Sequence, residues 1–140
     1  MSRYLSFDNT YSRLKEEWNK YGKIIVAYDV DSTVLPFHEH EANDDYTTIH
    51  NLIKDLHQLN CTLIVFTAAE ENRWDTIKEK LKKIDLPYHY FNQSPPEIPG
   101  LVAKGKVYAN IYLDDRASLY ASVELLQKLI NEIKTKKYEN

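Results

Sequence analysis

The chain has one cysteine, three glycines and five prolines in 140 residues, and each shortage closes off a class of fold. The single thiol, Cys61, cannot form an internal disulfide, so the chain is not a disulfide-stapled scaffold and suits a reducing compartment. So little glycine and proline excludes collagen-like and low-complexity chains. No apolar run approaches the roughly 20 residues that cross a bilayer. The opening MSRYLSFDNTYSRLKEEWNK also lacks the apolar centre of a leader peptide. The expectation is a soluble cytoplasmic protein with no membrane partner. Charge is not one-sided either. With 18 Lys and Arg against 21 Asp and Glu, the formal net charge of -3 gives no global field that would draw nucleic acid.

Hydrophobic residues make up 43% of the chain, enough for one sizeable core, and the whole of 1–140 reads as a single domain. Their spacing is informative. Tyr11, Leu14, Trp18 and Tyr21 recur at helical intervals behind the candidate N-caps Asp8, Asn9 and Thr10, and Gly22 ends that helix. Ile24–Tyr28 is continuously apolar and β-branched, as a strand buried on both faces should be. A polar loop follows, then a helix with Tyr46, Ile49, Leu52, Ile53, Leu56 and Leu59 on one face.

The unit repeats with a strand at 62–66, a helix marked by Trp74, Ile77, Leu81 and Ile84, and a short strand at 88–91. After a loop at 92–105, a strand at 107–113 leads into a closing helix marked by Leu119, Val123, Leu126, Ile130 and Ile133. Strands alternating with helices predict a Rossmann-like three-layer α/β/α domain around a mainly parallel sheet. Such sheets bind ligands at the carboxyl ends of their strands.

The unusual polar residues lie at those ends. Asp29 and Asp31 follow the first strand, Thr67 the second, and Asp114 and Asp115 the last. Asp29–Asp31 could be loop residues and Asp114–Asp115 a helix cap. Yet clustered carboxylates repel unless a cation or a shared proton offsets them. Mg²⁺ fits such a cluster because it takes oxygen ligands, one or two carboxylates at a time, and completes its shell with water and phosphate.

These motifs resemble those of the haloacid-dehalogenase-like phosphatases. YDVDSTV is similar to the family's D-x-D-x-T-[V/L] motif, LIVFT to the strand ending in Thr, and GKVYANIYLDDRA to the lysine and terminal acidic pair. The resemblance spans about residues 23–117 and implies an enzyme, a Mg²⁺-dependent phosphomonoester hydrolase. Asp29 would be the nucleophile, forming an aspartyl-phosphate, and Asp31 the general acid and base. Thr67 and the Ala68 N–H would hold phosphoryl oxygens, and Lys106 would neutralise charge. Thr33 would support the turn or orient Asp31. The Asp29 and Asp114 carboxylates and the Asp31 carbonyl would hold Mg²⁺. Asp115 would ligate through water or orient Lys106. Lys104, two residues from Lys106, is the competing lysine.

Family members that select small metabolites carry a cap domain after the first or second motif. Neither the 31–67 nor the 67–106 interval is long enough for one, so the expected site is open. The substrate would then be a phosphorylated small molecule or a nucleic-acid end, and an oligomer could close the site. The shape of YLDDRA resembles the phosphatase part of polynucleotide kinase-phosphatases, which favours nucleotides or polynucleotide ends.

Two other classes compete with an enzyme. A phospho-accepting receiver domain carries its acidic pair after the first strand and its acceptor later, the reverse of the order here. A catalytically idle phosphate-binding module would not need every catalytic group. His38-Glu39-His40-Glu41 reads as a solvated loop because it lacks a third strong ligand, and Arg116 as an ion-pair partner of the adjacent acids or a grip on a second phosphate.

Overall fold

The protein is described from a computed structural model covering residues 3–96 and 106–139. In chain order the elements are α1 (Phe7–Tyr21), β1 (Ile25–Tyr28), α2 (Thr47–Gln58), β2 (Thr62–Val65), α3 (Trp74–Lys83), β3 (Tyr90–Phe91), β4 (Ile111–Leu113) and α4 (Leu119–Glu139). Single 3₁₀ turns at Asn43–Tyr46 and Glu71–Arg73 lead into α2 and α3. The expected Rossmann-like α/β class holds, with helices packed against a four-stranded, all-parallel sheet in the order β3-β2-β1-β4.

Alternation along the short strands divides the side chains between two faces. Val26 and Tyr28 of β1, Leu63 and Val65 of β2, and Ile111 and Leu113 of β4 join Leu14, Ile53, Leu56, Leu81 and Leu126 in the main core. Each fully buried leucine there contributes about 1.5–3 kcal/mol. Ile25, Ala27, Ile64, Phe66 and Tyr112 point to the other face. Among the described residues the layer over that face is chain without regular structure, with Val107 and Ala109 packed on the sheet. The Tyr112 hydroxyl stitches it down by donating to the Val107 carbonyl at 2.6 Å and accepting the Ala109 N–H at 3.2 Å.

The strand expected at 88–91 is regular only at Tyr90–Phe91, and two other boundaries also differ from the expectation. Helix α1 starts three residues early because Ser6, rather than Asp8, Asn9 or Thr10, is its N-cap, accepting the Asn9 N–H at 3.1 Å. Gly22 does end it, at φ 73, a left-handed conformation that glycine adopts without steric cost. The strand expected over 107–113 is regular only at Ile111–Leu113. Asn110 interrupts it because its side chain takes over a ladder bond: Oδ1 accepts the Ile25 N–H at 2.6 Å while its own N–H donates to the Ile25 carbonyl at 2.8 Å.

The chain visits β1, β2 and β3 in one direction and then returns to place β4 on the far side of β1. The order therefore reverses between β1 and β4, and the cleft at their carboxyl ends is where such folds bind ligands.

Asn110 is buried, and its side-chain amide also donates to Glu17 at 3.1 Å. Asn110→Ala would strand the Ile25 N–H on the edge of β1. The expected loss is about 1–3 kcal/mol of unfolding free energy, readable in a urea melt. A melt unchanged from the parent would refute the side-chain bridge.

Candidate active site

Parallel pairing of β1 with β4 puts Tyr28 opposite Leu113. The next residue on each strand is an aspartate, and the Asp29 N–H donates to the Leu113 carbonyl at 2.8 Å. Asp29, Asp114 and Asp115 thereby converge, each offering a carboxylate oxygen within 4.8 Å of the others. Among the described residues this is the one group of three or more such side chains placed to hold a metal ion. Hard oxygen donors in a tight trio fit Mg²⁺.

Backbone geometry behind β1 holds the trio in place. The Val30 carbonyl accepts the N–H groups of Thr33, Val34 and Leu35 at 3.2, 3.0 and 3.0 Å, wrapping the chain into a tight turn with Ser32 at φ 57. Asp114 Oδ1 accepts the Arg116 N–H at 2.9 Å, which orients that carboxylate. Thr33 is fully buried, so it does not face a substrate, and it bonds Asp115 rather than Asp31. Its hydroxyl accepts the Asp115 N–H at 3.0 Å and donates to Asp115 Oδ1 at 3.2 Å.

The four-carboxylate cluster expected from the sequence becomes three. The Asp31 carboxylate turns to Arg73, which donates to both its oxygens at 3.1 Å. A bidentate fork of this kind matches carboxylate geometry and is half-exposed here, so its worth lies more in orientation than in stability. Nor, among the described residues, is a lysine the cation found against the acids. Arg73 holds Asp31, and Arg116 lies 3.7 Å from Asp115 as an exposed ion pair. Lys106 is exposed and, among the described residues, pairs with none of the carboxylates. Lys104 lies outside the described residues.

Thr67 sits at the end of β2, nearly buried. Its hydroxyl accepts the Ala69 N–H at 3.1 Å, which leaves its own proton free to donate outward. Ala68 is exposed beside it. Asn92, a residue with no evident signal in the sequence, fixes this corner. At φ 52 it leaves β3, and its side-chain amide accepts the Thr67 N–H at 2.7 Å and donates to the Thr67 carbonyl at 2.9 Å.

The role of Glu41, whose loop the sequence reads as solvated, was missed as well. Glu41 accepts from Ser32 Oγ at 3.0 Å, from the Phe37 N–H at 2.9 Å and from the Tyr46 hydroxyl, tying the loop after β1 to the aspartate turn. These hydrogen bonds, that of Tyr46 foremost, hold its carboxyl well below the usual carboxylate range. His38 and His40 stack on each other at 5.6 Å, both exposed, and neither is among the three candidate metal ligands.

No protein-family model matches the chain, and no curated protein matches it. A solved structure described as a conserved protein coded by a locus of Bacteroides thetaiotaomicron is similar in fold. It has a TM-score of 0.60 and 21% identity over 81% of this chain and 92% of that one. At that identity the likeness speaks for the fold alone.

Burial pushes the Asp29 carboxyl up to about 7, and Asp114 and Asp115 add to the rise against an opposing hydrogen bond from the Val30 N–H. The sign of the pH effect follows. Between about pH 4, where an unfolded aspartate titrates, and pH 7, the folded chain keeps a proton that the unfolded chain releases. This contribution is full below pH 4 and lost as pH climbs through 7. Without metal, the parent should lose about 1 kcal/mol more than Asp29→Asn over that window, solvent screening included. Parallel stability–pH curves for the two proteins would show that Asp29 is not crowded.

Proposed function

We infer that the protein is a Mg²⁺-dependent phosphomonoester hydrolase that works through an aspartyl-phosphate on Asp29. The observation that carries this is the trio of Asp29, Asp114 and Asp115 at the switch point of a parallel sheet, with Thr67 at the end of the neighbouring strand. The haloacid-dehalogenase-like motifs fall on those same strand ends, and membership of that superfamily is part of the proposal.

Asp29 and Asp114 would hold the metal with the Asp31 carbonyl, and Asp115 would complete the donor set. Bound Mg²⁺ would supply charge neutralisation that lets an anionic phosphate approach an anionic nucleophile. An Asp29 oxygen attacks phosphorus in line, forming the O–P bond of the acyl phosphate as the ester P–O bond breaks. The Thr67 hydroxyl and the Ala68 N–H donate to the phosphoryl oxygens. Asp31, having left Arg73 and taken up a proton from solvent, gives that proton to the leaving oxygen. In the second half it takes one from water as that water attacks phosphorus and Asp29 is released. Arg73 holds Asp31 away from the trio in the free protein. An arriving phosphate competes for the same guanidinium and frees the Asp31 carboxyl to turn toward the leaving group. Lys106 would reach the phosphoryl group only by turning in from its exposed position.

Release of phosphate from p-nitrophenyl phosphate should require Mg²⁺, stop with EDTA, and fall at least 1,000-fold in Asp29→Asn, because an amide cannot attack phosphorus. Asp31→Asn should slow an alkyl phosphate at least tenfold more than p-nitrophenyl phosphate, whose good leaving group needs little protonation. Equal losses on the two substrates would remove Asp31 from the acid role. Millimolar Mg²⁺ should raise the melting temperature saturably in the parent and not in Asp114→Ala. A metal-dependent shift without any turnover would instead favour an idle phosphate-binding module.

A further inference from the structure

Next to the Asp31–Arg73 pair the chain presents planar groups in a row. The Arg73 guanidinium, forked onto Asp31, lies 5.9 Å over the Phe37 ring. The Phe37 ring meets His38 edge-on at 5.1 Å, and His38 stacks on His40 at 5.6 Å with only 7° between planes. Phe37 is 58% exposed although it is a large apolar side chain, and His38 and His40 are exposed too. Nothing in the core explains an aromatic series placed outward beside the Asp31–Arg73 pair. The segment is also pinned. Glu41 holds the Phe37 N–H, the Ser32 hydroxyl and the Tyr46 hydroxyl together, so the aromatic rings start from a backbone anchored to the aspartate turn. Anchoring of this kind lowers the ordering cost of binding.

Charge narrows the ligand. From Ile24 to Ile53 there is no Lys or Arg, while Asp29, Asp31, Glu39, Glu41, Asp44 and Asp45 are all acidic. A polyanion with many phosphates would be repelled along this surface. A ligand with one phosphate and one planar ring would not. Its phosphate would go to the trio and Thr67, and its ring would lie against Phe37 with Arg73 alongside.

Resting on the phosphatase proposal, we propose that Phe37, backed by His38, His40 and Arg73, is a stacking platform. It would select a small phosphomonoester carrying a planar aromatic group, of the nucleoside-monophosphate kind, over both alkyl phosphates and polynucleotide ends. Phe37 is a specificity residue in this scheme and takes no part in phosphoryl transfer.

Binding tests the platform apart from catalysis. With Mg²⁺ present, a nucleoside phosphonate and a propyl phosphonate, neither of which can be hydrolysed at its C–P bond, are titrated into the intact protein by calorimetry. The parent should bind the nucleoside compound at least tenfold more tightly. Phe37→Ala should lose about tenfold for that compound and less than twofold for the alkyl one, while Phe37→Trp should keep the preference. Equal affinities in the parent, no binding of either, or an equal loss in Phe37→Ala would overturn the platform. A 5′-phosphorylated single strand that binds more tightly than the mononucleotide, with affinity falling steeply from 50 to 200 mM salt, would overturn the choice of a small ligand. Hydrolysis is followed separately. If no phosphate ester is cleaved, the phosphatase proposal falls while the phosphonate comparison still decides the platform.

Discussion

The pairing of Tyr28 with Leu113 forces two aspartates side by side one residue later, and much of the site accommodates that crowding. Asp115 adds a third carboxylate within 4.8 Å. Charges so close in a half-buried cleft repel, and among the described residues the offset comes from fixed donors rather than from a lysine. The Val30 N–H serves Asp29, the Arg116 N–H serves Asp114, and the buried Thr33 hydroxyl serves Asp115. One carboxylate, Asp31, is diverted to Arg73. What remains is a site with spare negative charge, a proton retained on Asp29 to near neutrality, and a geometry suited to a hard cation.

Strands of two to four residues could not hold such a site by backbone bonds alone. Side chains extend the ladder where the backbone gives out. The Asn110 amide accepts the Ile25 N–H, His89 Nδ1 accepts the Leu63 N–H at 2.9 Å, and the Asn92 amide bonds both polar groups of Thr67. The first two brace the sheet away from the cleft. The third bears on the cleft directly, because Asn92 stands in for the next residue of β3 and keeps Thr67 from fraying.

The strands and the carboxylate positions were legible because they depend on local pattern. Continuous apolar runs mark parallel strands, and an aspartate directly after such a run must sit at a strand end. The pairings that escaped notice act across long separations. Asn92 lies 25 residues from Thr67, Thr33 lies 82 from Asp115, and Arg73 lies 42 from Asp31. No periodicity announces such pairs. Asn110 misled for a related reason: VYANIYL looks like one strand, and only the partner N–H on β1 shows that its asparagine works as a side-chain rung.

The unequal treatment of the acids bears on chemistry. If every carboxylate had joined the cluster, a cation would have to balance four charges, and none of the four would be free to move protons. Diverting Asp31 to an exposed arginine separates two jobs, with three acids shaped to hold charge and one kept on a partner it can leave. The Asp31–Arg73 pair is half-exposed, so water already competes with it and little energy is lost when it opens. A buried pair would cost several kcal/mol to break and would lock Asp31 in place. On the phosphatase proposal, weakness in that ion pair is what would make Asp31 available for proton transfer.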